Sequence, residues 1–273
     1  MLRATGIGSL PFVSLDEVRA LLARFALPFL PELPNVEKDD LLLRRPFAGL
    51  LEDDDEPRLR ARADLAAPIR LGPGLALLAA TSAPEVKVQL AGPVVLGAWV
   101  KNAKGKPLGA DAEGRRLVLD RIEALARAYL AALPGRSVTV FLDEPGLAGA
   151  SVELEQALER VRAAGAHLTG VHDCGSGFRS AAAAKPDYLS FDLAYFARDA
   201  AVDEHIRRGG ALAVGAVSTT KAHDRAKALA ALRALPADLL DRSLVTPACG
   251  AALLDPERAR RVHEDALELA SAR

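Results

Sequence analysis

Short apolar runs recur along the chain, each closed by a turn and most followed by residues at helical spacing. The first covers residues 4–7 and ends in Gly8-Ser9-Leu10-Pro11. Ser14 and Glu17 then make the pattern of a capping box, and Val18, Leu21, Leu22 and Phe25 keep to one helix face. The second run, 26–30, is broken by Pro28 and ends at Pro31-Glu32. The third, 86–91, ends in Gly92-Pro93, ahead of a short helix carrying Trp99 and a long one predicted over 111–133. The fourth, 137–142, ends in Asp143-Glu144-Pro145, with Ser151 as cap of the next helix. The fifth, 167–171, runs into His172-Asp173-Cys174-Gly175. The sixth, 188–191, ends at Asp192, and the seventh, 211–214, at Ser218-Thr219. The eighth, 243–245, ends in Thr246-Pro247-Ala248-Cys249-Gly250, and Asp255-Pro256-Glu257 opens a closing helix with proline in its first turn.

Short buried strands alternating with helices imply a parallel sheet. Eight such units in a chain of 273 residues predict an α/β fold, a (β/α)8 TIM barrel formed by one domain over 1–273. An open doubly wound sheet is the alternative. An insertion is expected in the first hundred residues, roughly 45–85, where the pattern weakens. It holds the acidic run 52–56, read as a solvated loop, and residues 68–74, read as a hairpin arm. In a barrel the site lies at the C-terminal strand ends, and nearly every run here ends on a polar group able to do chemistry.

Composition narrows the function. With 35 basic and 36 acidic residues, the chain lacks the basic face that nucleic acid requires. No apolar stretch is long enough to span a membrane, and Met1 leads into the first run without room for a signal peptide. Two cysteines are no disulfide framework, so a reducing cytoplasm is the expected home.

Those two cysteines carry the sharpest signal. His172 and Cys174 stand at i and i+2, which on a strand face one side. Cys249 closes the last run, and Asp192 closes the sixth, so the four could hold zinc. Taken singly, a His-x-Cys is coincidence more often than a ligand pair, and a lone cysteine acts as a small buried hydrophobe. Asp143 and Glu32 either end buried strands in polar turns or aim at the mouth to receive a substrate ammonium. Trp99 reads as a packing residue. His205 and His263 are expected on the surface, and His167 and His223 outside the site. Gly6 and Gly8 are not a dinucleotide fingerprint, because the third glycine is missing.

Taken in order, these motifs resemble the C-terminal catalytic barrel of cobalamin-independent methionine synthase, in the superfamily that includes uroporphyrinogen decarboxylase. Ile7, Gly8 and Ser9 match the family's homocysteine-contacting turn. Gly92, Pro93 and Trp99 match its Gly-Pro with a following Trp, and Asp143-Glu144-Pro145 its amine-binding motif. His172, Cys174 and Cys249 match three zinc ligands, while Asp192 stands where the family has a glutamate. Thr220 aligns with the family's proton-donor histidine and Gly149 with a folate-contacting glutamate. The family's N-terminal half has no counterpart here. The resemblance therefore implies a zinc-dependent methyltransferase acting on a thiol amino acid, homocysteine. Its donor would be a methylated corrinoid or corrinoid protein rather than methyl-tetrahydrofolate, and its substrate site would include Ile7, Gly8, Ser9, Glu32, Trp99 and Asp143. A uroporphyrinogen decarboxylase-like enzyme and a non-catalytic zinc- or corrinoid-binding relative are the alternatives.

Overall fold

The computed structural model describes residues 2–52, 56–149, 151–196, 199–220 and 224–272. Seven parallel strands form one sheet: β1 (Arg3–Ala4), β2 (Glu85–Ala91), β3 (Ser137–Asp143), β4 (Leu168–Asp173), β5 (Tyr188–Asp192), β6 (Ala211–Val217) and β7 (Leu244–Pro247). Their spatial order is β1-β7-β6-β5-β4-β3-β2, so the sequence-first strand and the second one form the two edges. Along β3 to β7 nearly every position is buried, as expected for parallel strands covered on both faces.

The two edges curl toward each other through the second apolar run. Phe29 bridges Lys87 of β2, and Glu32 bridges Ser9 just beyond β1, both in parallel sense. The bonds are Lys87 N to Pro28 O (2.8 Å), Leu30 N to Lys87 O (2.8 Å), Glu32 N to Gly8 O (3.1 Å) and Leu10 N to Glu32 O (2.9 Å). Pro28 and Pro31 have no N–H to donate, which explains why this stretch makes isolated bridges and not a continuous ladder.

Helices pack on the outer face of the sheet. α1 (Leu15–Leu22) starts at the expected Ser14 cap, α4 (Ala112–Ala132) at Asp111 and α5 (Val152–Ala163) at Ser151. The others are α2 (Pro73–Ala79), α3 (Pro93–Trp99), α6 (Phe178–Ala183), α7 (Ala200–Arg207), α8 (Arg225–Arg233), α9 (Ala237–Arg242) and α10 (Pro256–Ser271). The large apolar core lies between these helices and the sheet. A second, smaller cluster, Leu27, Phe141, Tyr188, Ala211, Ala213 and Leu244, fills the inside of the curl. Among the described residues no helix is long and apolar enough to cross a membrane.

Several expectations need correction. Residues 68–74 form no hairpin arm. Residues 68–72 are irregular, and Pro73 opens α2, consistent with the preference of proline for the first helical turn. Gly74 lets this helix sit against the second run, since a Cβ there would fall 1.8 Å from Pro31 O. The stretch around it is tied down by side chains. Asp40 accepts from Leu33 N (2.8 Å) and pairs with Arg45, and Arg121 of α4 donates to Pro46 O (2.8 Å) and Ala67 O (3.1 Å). His205 and His263 are buried, not on the surface. His205 holds Ala211 O (2.9 Å), and His263 takes a place in the apolar stripe of α10, stacked on Phe29 with centroids 5.6 Å apart. Trp99 is 60% exposed, so it does not serve as a packing residue.

Candidate metal centre

β3, β4 and β5 lie side by side in a register that pairs Asp143 with His172 and His172 with Ser190. Alternation along a strand then turns all three to the inside of the curl. Beyond β4 the chain turns at Cys174, and beyond β7 it turns at Cys249. The ligand atoms of His172, Cys174 and Cys249 all lie within 4.8 Å of one another. Thus the strand-end pair and the distant cysteine meet. His223, expected outside the site, lies outside the described residues, and His167 is exposed just before the start of β4.

Asp192 does not join the group. Its Oδ1 accepts from Ala194 N (2.8 Å) and caps a short 3-10 helix, Leu193–Tyr195. An aspartate at this place is short enough to fold back on its own backbone, a local bond that competes with any reach across the mouth.

The donor set suits a zinc ion. One imidazole and two thiols are the ligand types zinc selects, and three protein ligands leave a fourth position open. His172 Nδ1 lies 2.9 Å from Ser190 Oγ, which leaves Nε2 to face the sulfurs. That Nε2 is buried and has no hydrogen-bond partner, a cost that a ligand would remove. The two thiols are coupled. A hydrogen bond from Cys174, aided by His172, holds Cys249 well below the ordinary thiol range, and the same bond pushes Cys174 up.

Next to the sulfurs lies a cluster of buried acidic side chains. Asp143 is 4% exposed, and its Oδ1 has no partner. Burial raises its pKa, opposed by His172 and Lys87. Glu32 is pushed up to about 8 by burial and then by Asp143. Gln89 donates to Glu32 Oε1 (3.3 Å) and to Leu30 O (2.6 Å). Ser9 adjoins the Cys249 turn: its carbonyl accepts from Ala251 N (2.8 Å), and a Cβ on Gly250 would fall 2.0 Å from its Oγ. Gly8 has a φ of +138°, and a Cβ there would strike Gln89. Ile7 is buried below it, its carbonyl 3.4 Å from Lys87 Nζ. The structure thus brings Ile7, Gly8, Ser9, Glu32 and Asp143 near one another, and leaves Trp99 at the far, exposed end of α3.

Ser190, Lys87 and Gln89 escaped the sequence reading, and Glu144 was read only as part of the Asp143-Glu144-Pro145 motif. Ser190 orients His172. Glu144 accepts from Val94 N and Val95 N (both 2.8 Å) and so closes the first turn of α3. Burial pushes it up to about 7. Lys87 and Gln89 point into the curl from β2. The available signal was their alternation with Val86, Val88 and Leu90 in a run otherwise fit for burial.

No family model matches the sequence, and no curated protein matches it. Among solved structures, a methyltransferase from Methanosarcina mazei is similar over 98% of this chain and 93% of its own, with 16% identity and a TM-score of 0.66. A B12-independent methionine synthase from a Shewanella species, solved with selenomethionine, is similar over 72% of this chain and 64% of its own, with 20% identity and a TM-score of 0.51. The chain therefore shares the α/β fold of a methyltransferase and of a B12-independent methionine synthase, in agreement with the resemblance its motifs carry.

Proposed function

We propose that this chain is a zinc-dependent methyltransferase that moves a methyl group onto a thiol. Homocysteine is the acceptor, methionine the product and a methyl-corrinoid the donor. The observation that carries the reading is the convergence of His172, Cys174 and Cys249 within 4.8 Å, beside a buried carboxylate oxygen of Asp143 with no partner. In this reading residues 28–32 are the eighth stave of a single-domain (β/α)8 barrel, and the metal lies at its C-terminal mouth.

His172 Nε2 and the two sulfurs would hold the metal, with Ser190 fixing the imidazole. When bound there, zinc keeps a substrate thiol in its nucleophilic thiolate form near neutral pH. Asp143 and Glu32 receive the substrate ammonium, which gives Asp143 Oδ1 its missing partner. Burial of both carboxylates excludes water and strengthens that contact. Asp192 stays on its backbone cap, so it would not compete with a substrate thiol for the metal. Gly149 and Thr220 stand where the related family has its folate-contacting glutamate and proton-donor histidine, which favours a corrinoid over folate as donor.

Native protein is expected to carry about one zinc per chain, as three-ligand catalytic sites do. Cys249→Ala should lose it, as read by elemental analysis. Zinc-loaded protein should form methionine from homocysteine and methylcobalamin. Zinc-free native protein, unchanged by Cys249→Ala, refutes the metal site. Zinc-loaded protein without methionine formation refutes the substrate assignment. Thr220 at the proton-donor position favours a second reading, a non-catalytic zinc- or corrinoid-binding relative, which the same turnover assay separates from the first.

A further inference from the structure

Asp173 stands between His172 and Cys174, and nothing in the chemistry above uses it. It closes β4 and is fully buried. Alternation places it on the opposite face of the strand from His172. Both of its oxygens are engaged there. Oδ1 accepts from Gly175 N, just past Cys174, and Oδ2 accepts from Leu147 N (3.2 Å), in the loop that follows β3. Gly146 N bonds the same carboxylate. One side chain thus ties the turn that carries Cys174 to the loop that carries Gly146 and Leu147. The junction is tight: a Cβ on Gly177 would fall 2.1 Å from Asp173 Oδ2 and 2.1 Å from Leu147 O.

The two cysteines differ in how their backbone is held. Cys249 is fastened on both flanks, by Ala248 N to Val217 O (2.8 Å) and Ala251 N to Ser9 O (2.8 Å). Cys174 lies beyond the last paired residue of β4, so no strand ladder reaches it, and the amide that follows it bonds to Asp173. The loop after β3 also depends on this carboxylate. Leu147, Ala148 and Gly149 border a groove of about 690 Å³ beside α3 and the start of α5, so on that side nothing presses the loop into place. We propose that Asp173 is a positioning residue for the metal centre: its carboxylate, shared between the amides of Gly175 and Leu147, fixes Cys174 beside His172 and Cys249 and makes the loop after β3 part of the support of that ligand. The proposal rests on the reading of these three residues as a metal site. Hydrogen bonds from backbone amides to a carboxylate are strong, and groups that orient a metal ligand weigh heavily in metal affinity.

The test titrates Co²⁺ alone into the metal-free full chain. The thiolate-to-cobalt absorption band follows the number of sulfurs bound, and competition with a chelator gives the affinity. Wild type is expected to show a two-sulfur band, with Cys174→Ser as the one-sulfur reference. Asp173→Ala should match that reference and bind Co²⁺ about 10–100-fold more weakly. Asp173→Asn keeps one acceptor oxygen and should fall between Asp173→Ala and wild type. Gly146→Ala changes neither a ligand nor Asp173. Its φ of +82° disfavours any side chain, while the new Cβ would meet nothing within 4 Å, so it loosens only the loop end of the tie. It is expected to weaken Co²⁺ binding about 2–30-fold, as residues remote from a ligand do when coupled to it. A purely structural role for Asp173 lowers the unfolding midpoint and leaves the band and affinity of the folded protein as in wild type; that result overturns the proposal. Wild-type affinity in Gly146→Ala overturns the part given to the loop. If Asp173→Ala fails to fold by circular dichroism, Asp173→Asn and Gly146→Ala decide. Absence of the band in wild type removes the metal reading itself, whereas a two-sulfur band common to wild type and Asp173→Asn or Asp173→Ala removes only the role of Asp173.

Discussion

His263 gives the protein an acid sensitivity that can be worked out in advance. The ring is 1% exposed on α10, between Phe25 and Phe29, with Nδ1 2.7 Å from Ala259 O. Burial lowers its pKa from 6.5 to about 4. The unfolded chain therefore binds a proton on this residue between those values while the folded protein does not, and stability falls as pH drops from about 6.5 toward about 4. From those two values, the loss between pH 7 and pH 5 amounts to ~2 kcal/mol, a substantial part of the usual stability of a domain. His263→Leu keeps an apolar side chain of similar size in the stripe and removes the titration. At pH 7 the variant loses ring stacking and one hydrogen bond, on the order of 1 kcal/mol. Urea unfolding at pH 7 and pH 5 should then show a pH dependence flatter than wild type by ~2 kcal/mol, all other groups being common to both proteins. Equal pH dependence in the two proteins would refute the neutral, buried placement of this ring. With it would go the packing of α10 on Phe29.

Two further outcomes bear on the closure of the sheet and on the metal. A Cβ on Gly6 would sit 2.3 Å from the Phe29 ring, so Gly6→Ala must displace a fully buried phenylalanine beside the Lys87 bridge. It is expected to cost about 1–3 kcal/mol in denaturant unfolding, and an unchanged midpoint would show that the ring is not seated there. Ser190→Ala frees His172 Nδ1 and is expected to weaken zinc binding about 10–100-fold by competition with a chelator, the fold remaining intact by circular dichroism.

Much of the scaffold was legible because parallel strands buried on both faces leave short unbroken apolar runs. Turns with glycine and proline mark their ends. Seven of the eight runs became strands, and the His172, Cys174 and Cys249 cluster was readable from three residues at strand ends. The second run was harder, because its two prolines allow bridges and no ladder. Asp192 misled because sequence places a carboxylate at a strand end without saying whether it reaches outward or folds onto its own backbone. His205 and His263 misled for a different reason. Their spacing put them on apolar helix faces, Val202-His205 and Ala259-His263-Ala266, but a histidine reads as polar until its carbonyl partner is known. Lys87 and Gln89 carried a signal that points two ways, because alternation with valine and leucine ordinarily marks a solvent face. Inside a curled sheet the same alternation points toward the interior.

The bonds from Glu144 to the first turn of α3 have an optical consequence. They fasten that helix to the residue next to Asp143, and Trp99, at the other end of the same seven-residue helix, is the only tryptophan in the chain. The helix held by Glu144 thus carries one intrinsic fluorophore at its far end, largely in solvent. Its emission should report a movement of that helix without any label and without background from a second indole.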